Sequence, residues 1–94
     1  MKIPKKLKIC GLNYTIKMED SLHANQGLAG EHCTHKLLIR IQKKDYEPQK
    51  MEQTFFHEVM HAIDDHYLNN KLSEDQVSVL SNGFYQVLKD NRLI

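Results

Sequence analysis

The residues best suited to chemistry in this chain are His57, Glu58 and His61, which form the pattern His-Glu-x-x-His. On a helix, residues four apart lie on one face about one turn from each other, so both imidazoles can reach a single ion. Glu58 is rotated from His57 by roughly 100°, which aims its carboxylate beside that ion. Zinc accepts imidazole ligands and lowers the pKa of water to about 7, so the spacing predicts a zinc site with its own general base.

The segment around this pattern has the composition of a buried helix. Pro48 suits the first turn of a helix and Asn69-Asn70 suits its end, which predicts a helix over residues 48–68. Apolar residues surround the polar trio on nearly every other side: Phe55, Phe56, Val59, Met60, Ala62 and Ile63. Buried polar side chains must find partners, and a metal ion provides one. The alternative is a pair of core histidines held by hydrogen bonds.

A catalytic zinc site needs a third protein ligand and one open position. Glu74 is the best candidate, because it begins a second predicted helix that returns beside the first, and Asp75 is its nearest rival. The dipole of a helix also favours acidic residues in the first turn, which is the other explanation for Glu74. A third histidine ten residues after His57 would indicate a metzincin, but Tyr67 occupies that position.

Several further residues are candidates for supporting roles. Asp64 or Asp65 can accept the second ring N–H of a ligating histidine, or can lie on the helix surface as a solvated carboxylate. A hydrolase also needs a donor for the developing oxyanion, and the sequence offers His66, Tyr67 and Tyr85. The His-Cys-Thr-His segment at residues 32–35 is predicted to be a surface strand with incidental histidines, because one extended segment chelates poorly.

Composition and charge bound the class of protein. Hydrophobic residues make up 40% and charged residues 27% of the 94-residue chain, which is typical of a globular domain. The formal net charge of +1 gives no electrostatic reason to expect binding to nucleic acid or to an anionic membrane. No segment has the length of a signal peptide or membrane span, and Cys10 and Cys33 are too few for a disulfide framework. These features predict a cytoplasmic protein with free thiols.

The first half of the chain reads as a small sheet. Alternating apolar and polar residues predict three strands, at residues 7–9, 14–18 and 37–41. Gly11-Leu12 fits a two-residue hairpin turn with glycine first. A short helical turn is predicted near residues 21–23, and residues 31–34 either extend the third strand or form a short partner for it.

The second half of the chain reads as two helices. Ser73 and Gln76 form a capping box for the second helix, which is predicted to run to about Asn91. An apolar stripe at helical spacing is predicted to be core: Val77, Leu80, Phe84, Val87 and Leu88. The sequence therefore predicts an α+β fold, with a small antiparallel sheet of three to four strands followed by two packed helices, in one domain over residues 1–94.

The active segment, Thr54 to Ile63, and the following Glu74 with Val77, Leu80 and Ser81 resemble the small zincin metallopeptidases. The resemblance is strongest to the ImmA/IrrE-like group and related short phage or mobile-element proteins. It implies a gluzincin-type ligand set, with the third ligand taken from a glutamate on the following helix. It also implies an extended peptide substrate that pairs with an exposed strand edge above the metal, for which residues 36–42 are the expected strand.

These observations predict a zinc-dependent hydrolase, with a peptidase as the leading interpretation. His57, His61 and Glu74 are expected to hold zinc, and Glu58 is expected to act as general base on a peptide or protein substrate. The alternative is a non-catalytic, metal-stabilised protein-binding module of phage origin. The intact Glu58 argues against that alternative, because a purely structural site needs no base. Neither the oligomeric state nor the substrate follows from the sequence.

Overall fold

The fold has three layers: a four-stranded sheet, a long helix packed on the sheet, and a second long helix packed on the first. The computed structural model describes residues 1–94. The elements, in chain order, are β1 (Lys6–Ile9), β2 (Leu12–Glu19), α1 (Leu22–Gln26), β3 (Gly30–Cys33), β4 (Leu38–Gln42), α2 (Pro48–Tyr67) and α3 (Glu74–Asp90). The predicted α+β class, with a small sheet followed by two packed helices, is confirmed. The predicted helical turn is present as α1, and the short partner strand is present as β3.

The sheet is mixed, whereas the sequence predicted an antiparallel sheet. Its strand order is β1-β2-β4-β3. The β1–β2 and β3–β4 pairs are antiparallel, whereas β2 and β4 run parallel, with Ile16 opposite Ile39. The connection from β2 to β4 contains α1 and β3, so it is long enough to return the chain to the starting end of the sheet, as a parallel pair requires.

The hairpin turn lies one residue earlier than expected. Ile9 pairs with Leu12, so the turn residues are Cys10 and Gly11 and not Gly11 and Leu12. Both turn residues have positive φ, 54° and 78°. This is the conformation of a type I′ turn, whose twist matches that of the paired strands.

The predicted strand alternation places most of its apolar residues in the core, whereas Met18 is 40% exposed and Leu37 is only partly buried. The buried cluster contains four sheet isoleucines, one tyrosine and two residues of α2: Ile9, Ile16, Ile39, Ile41, Tyr14, Phe55 and Ala62. No residue of α2 between positions 51 and 66 is exposed, which agrees with the expected burial of this helix on nearly all sides. No helix in the structure combines the length and the apolar character needed to span a membrane.

The predicted role of α3 is wrong in part. Val77 and Ser81 are buried against α2, and Tyr85 packs its ring on Phe56 with 5.5 Å between centroids. Three members of the predicted core stripe are instead exposed: Leu80, Phe84 and Val87. The reason is topological, because α3 is the outermost layer and no further element lies on its other side.

Candidate metal centre

The two histidines of α2 and Glu74 of α3 converge on one point. The Nε2 atoms of His57 and His61 lie 3.1 Å apart. Glu74 directs Oε1 to within 2.7 Å of Nε2 of His57, and Oε2 to within 3.0 Å of Nε2 of His61. These three residues form the one group of potential metal ligands in the chain, and one ligand atom from each lies within 4.8 Å of the others.

The ligand atoms have the spacing and chemistry of a small divalent-cation site. Tetrahedral coordination with bonds of about 2.0–2.1 Å places ligand atoms about 3.3–3.4 Å apart. The separations of 2.7 to 3.1 Å, in which each histidine faces a different oxygen of Glu74, are shorter than that value by about 0.2–0.7 Å. Two imidazole nitrogens and a carboxylate suit zinc, and they also suit other first-row divalent metals. The Glu74 side chain is 68% exposed, so the trio is open to solvent on one side.

The connection between α2 and α3 explains why Glu74 returns to the histidines. Asn69 and Asn70 adopt left-handed φ angles of 53° and 59°, which reverse the chain direction after α2. Oδ1 of buried Asp64 accepts hydrogen bonds from the backbone N–H groups of Lys71 and Leu72 at 3.0 and 3.2 Å. The turn is therefore anchored to α2 just before α3 begins.

The predicted capping box is present at the start of α3. The Ser73 hydroxyl accepts from the backbone N–H of Gln76, and the Gln76 side chain accepts from the backbone N–H of Ser73. This cap orients the first turn so that Glu74 faces the histidines. The rival candidate Asp75 lies on the outer side of the helix, where it lines a separate apolar hollow with Val79 and Leu80.

Glu58 is a buried carboxylate beside the histidines. Its residue surface is 7% exposed, and it lines the clefts on both sides of the ligand trio. Burial, with smaller contributions from the negative charges of Glu74 and Glu31, raises the pKa of Glu58 to about 7. A carboxylate with a pKa near neutrality is well matched to accepting and returning a proton.

Gly30, which the sequence indicated only as a loop residue, supports the position of Glu58. A Cβ atom at Gly30 would lie 2.5 Å from Cγ2 of Thr54, 3.1 Å from Cγ of Glu58 and 3.2 Å from Oε2 of Glu58. Only glycine permits so close an approach of the β3 backbone to α2. No single-sequence signal identifies this contact, because Gly30 and Glu58 belong to separate elements far apart in the chain.

Two clefts flank the ligand trio. One has a volume of about 330 Å³ and extends from Leu28 and Gly30 towards Lys50, Gln53 and Asn82. The other has a volume of about 450 Å³ and extends towards a polar group made of Glu31, His32, Asp65 and Asn70. The site is therefore a continuous polar groove with Glu58 near its middle.

The strand beside this groove is β3 and not the expected segment 36–42. In the structure that segment forms β4, which lies between β2 and β3 and is hydrogen-bonded on both edges. β1 and β3 are the two edge strands, and Gly30, Glu31 and His32 of β3 contribute to the groove. The unpaired edge beside the groove thus belongs to β3.

The predicted roles of the surrounding residues require correction. Asp65 hydrogen-bonds Thr34, and Asp64 anchors the α2–α3 turn, so neither carboxylate contacts a histidine of the trio. The expected oxyanion donors lie outside the groove. His66 and Tyr85 hydrogen-bond other side chains, and Tyr67 is exposed at the end of α2.

His32 is an interior residue and not an incidental surface histidine. Its side chain is 7% exposed, and its Nε2 atom lies 2.7 Å from the Tyr14 hydroxyl. The same hydroxyl lies 2.7 Å from Nε2 of His66. Burial lowers the pKa of His32, and this effect outweighs the negative charge of Asp65, which acts to raise it. The sequence signal that could have indicated this network is Tyr14 on a core-facing strand position, because a buried tyrosine hydroxyl needs a hydrogen-bond partner.

Comparison of the chain with family models, with curated proteins and with solved structures gives no match. The assignment of a function therefore depends on the geometry of the residues themselves.

Proposed function

We propose that this chain is a zinc-dependent hydrolase, and specifically a metallopeptidase that uses Glu58 as its general base. One observation carries the proposal: the ligand atoms of His57, His61 and Glu74 converge next to a buried carboxylate. Two imidazoles and one carboxylate form a known ligand set of catalytic zinc sites, which leaves a coordination position for water. A purely structural zinc site is closed by four protein ligands and has no use for a buried base.

Each residue has a separate task in this proposal. His57, His61 and Glu74 hold the ion, and bound zinc supplies a Lewis acid for the scissile carbonyl and makes water more acidic. The Glu58 carboxylate accepts a proton from the attacking water and donates it to the leaving amine nitrogen. The close approach of the Gly30 backbone to Thr54 and Glu58 leaves the Glu58 side chain little room to move.

The free edge of β3 provides a binding mode for an extended peptide. Backbone N–H and C=O groups on an unpaired strand edge can pair with a substrate strand, as in β-augmentation. The edge borders the groove that contains Glu58, so a peptide paired with residues 30–33 would lie across the ligand trio. This is the feature that favours a peptide over other amide or ester substrates.

A reducing compartment fits the rest of the chain. Cys10 and Cys33 are both free thiols. Free thiols persist in the cytosol and are rare in small secreted domains. We therefore place the proposed activity in the cytoplasm, acting on a peptide or protein and not on nucleic acid.

One observation favours a second candidate, a non-catalytic metal-stabilised binding module of phage origin. β3 has only four residues, so it offers few hydrogen bonds with which to hold a substrate strand. A strand edge of this length can still contribute a few backbone hydrogen bonds to a larger interface with a protein partner.

Cleavage of a degenerate peptide pool by zinc-loaded wild type and by Glu58→Gln separates the two candidates. The proposal predicts cleavage that a chelator abolishes and zinc restores. Glu58→Gln should retain zinc, measured by elemental analysis, and lose about 10²–10⁴-fold in rate, because the general base is absent. Zinc-loaded wild type that cleaves no peptide would support the binding module, whereas a Glu58→Gln variant that cleaves as fast as wild type would show that Glu58 is not the general base.

A further inference from the structure

His32 brings to the groove a polar atom that no other residue of the chain engages. Its side chain is 7% exposed, and its Nε2 atom lies 2.7 Å from the Tyr14 hydroxyl. Nδ1, the other ring nitrogen, points away from Tyr14 and lies 3.9 Å from Oδ2 of Asp65, which is too far for a hydrogen bond. That oxygen of Asp65 accepts instead from the hydroxyl of Thr34.

Nδ1 of His32 faces the groove and not the interior. The chain has one fully buried side-chain nitrogen or oxygen without a hydrogen-bond partner, and it is Oδ2 of Asp64. Nδ1 of His32 also lacks a partner, so it must be in contact with solvent. His32 and Asp65 both line the cleft of about 450 Å³ that contains Glu58, whereas Tyr14 does not. The ring is therefore held on its inner side and free on the side of the cleft.

The hydrogen bonds around Tyr14 determine which nitrogen of His32 carries the proton. Burial lowers the pKa of His32, so the ring is neutral at neutral pH and has a single N–H. The Tyr14 hydroxyl lies 2.7 Å from Nε2 of both His32 and His66, and its one proton goes to one ring while its oxygen accepts from the other. Donation to His32 leaves the His32 proton on Nδ1, facing the Asp65 carboxylate, whereas the opposite arrangement turns a lone pair towards that negative charge. The network therefore favours the Nδ1–H form of His32.

The position of this N–H complements that of Glu58. On β3, His32 comes two residues after Gly30, so both residues face α2. On α2, Glu58 lies three residues before His61 and Asp65 lies four residues after it. Positions three or four apart are neighbours on one helix face, so the base and the His32–Asp65 pair lie on the two sides of His61. A group that accepts a proton from water and a group that donates to a carbonyl oxygen are thereby placed on either side of the ion site.

We propose that His32 is a catalytic residue, whose Nδ1–H donates a hydrogen bond to the scissile carbonyl oxygen as negative charge develops on it. This role rests on the proposed peptidase function. It supplies the oxyanion donor that the sequence placed at His66, Tyr67 or Tyr85, none of which lines the groove. A peptide paired with the edge of β3 would pass over His32, because this residue belongs to that strand.

Two substitutions separate the roles of the two ring nitrogens. The amide nitrogen of asparagine is attached to Cγ, as Nδ1 of histidine is, so His32→Asn keeps a donor towards the cleft and loses the contact with Tyr14. The longer glutamine side chain reaches the Tyr14 hydroxyl, so His32→Gln keeps that contact and removes the donor from the cleft. In zinc-loaded protein, kcat should fall by about 10²–10³-fold in His32→Gln, with KM within about threefold of wild type. His32→Asn should keep kcat within about tenfold of wild type.

Stability should follow the opposite order in the two variants. Urea unfolding should show His32→Asn to be less stable than His32→Gln, because only glutamine keeps the contact with Tyr14. A residue that acts only through the fold would instead lose activity in the same order as stability. His35→Gln, the same substitution at an exposed turn residue, is the control and should change neither kcat nor stability.

NMR detection of the imidazole nitrogens tests the proton position without any variant. Zinc-loaded wild type should carry the His32 proton on Nδ1 and a His66 proton on Nε2, where it is donated to Tyr14. A His32 proton on Nε2 would overturn the proposal, because Nδ1 would then have no hydrogen to donate. Equal kcat values in His32→Gln and wild type, or in the two His32 variants, would overturn it as well. These results leave the metallopeptidase standing, whereas wild type that cleaves no peptide would contradict the peptidase and the role of His32 together.

Discussion

Nε2 of His57 and Oε1 of Glu74 lie 2.7 Å apart, and this contact joins α2 to the first turn of α3. The two residues are 17 positions apart in the chain, and the short connection between α2 and α3 brings them together. The candidate metal centre therefore depends on the geometry of a turn as much as on the His-Glu-x-x-His pattern. A change in that turn should affect metal binding even when every ligand is intact.

Asp64→Ala tests the dependence of the metal centre on the turn. Loss of Oδ1 leaves the N–H groups of Lys71 and Leu72 without their acceptor, which should lower the free energy of unfolding by about 1–3 kcal/mol. Zinc affinity should fall by about tenfold, because Glu74 is no longer held against the histidines. Urea unfolding of the metal-free protein and a competitive zinc titration measure the two effects. Asp20→Ala, at an exposed aspartate, is the control and should change neither quantity.

Gly30→Ala tests the packing that fixes Glu58. The new Cβ would lie 2.5 Å from Cγ2 of buried Thr54 and 3.1 Å from Cγ of Glu58, so one of the two side chains must move. We expect about 1–3 kcal/mol of destabilisation and a lower kcat for peptide cleavage, with zinc content unchanged. Adding Thr54→Ser removes the Cγ2 atom and should restore part of both losses. Unchanged stability and activity in Gly30→Ala would show that the contact between β3 and α2 is unimportant.

The acid sensitivity of the fold should depend on Glu52, a buried carboxylate between α2 and α3. Burial by itself would raise the pKa of Glu52, but hydrogen bonds from Tyr85 and Lys89, together with the amino group of Met1, lower it below its usual value. A carboxyl group with a lowered pKa in the folded state stabilises the fold above its unfolded-state pKa of about 4.5, and that contribution is lost as the pH falls through the lowered value.

Urea unfolding of wild type and Glu52→Gln between pH 7 and pH 3 measures this contribution. Wild type should be the more stable protein at pH 7, and the difference should shrink below about pH 4.5, where the carboxyl group becomes protonated. Tyr85→Phe should weaken the pH dependence, because it removes one of the hydrogen bonds that favour the charged form. A difference between wild type and Glu52→Gln that stays constant with pH would contradict this account.

Local signals in the sequence predicted the parts of the fold that depend on neighbouring residues. Pro48 begins α2 as expected, and the capping box at Ser73 is present because its two partners are three residues apart. The parallel pairing of β2 with β4 and the edge position of β3 depend on long-range contacts, which periodicity does not encode. The exposure of Phe84 has the same origin, since an apolar stripe shows that a helix face needs a partner but not where the partner comes from.

The same contrast between local signals and long-range contacts applies to the candidate site. The His57–His61 pair is set by helical spacing, and the structure brings Glu74 to it as the sequence predicted. The support around the site, which comes from Gly30 and Asp64, could not be predicted, because each acts through contacts between separate elements.

A competitive zinc titration of wild type, Glu74→Ala and Asp75→Ala tests the central claim most directly. Wild type should bind one zinc ion per chain, since the chain contains one group of converging ligands. Glu74→Ala should bind zinc at least about tenfold more weakly, because a third of the ligand set is gone, whereas Asp75→Ala should bind as wild type does. Wild type that binds no zinc, or Glu74→Ala that binds it as tightly as wild type, would contradict the metal centre proposed for this protein.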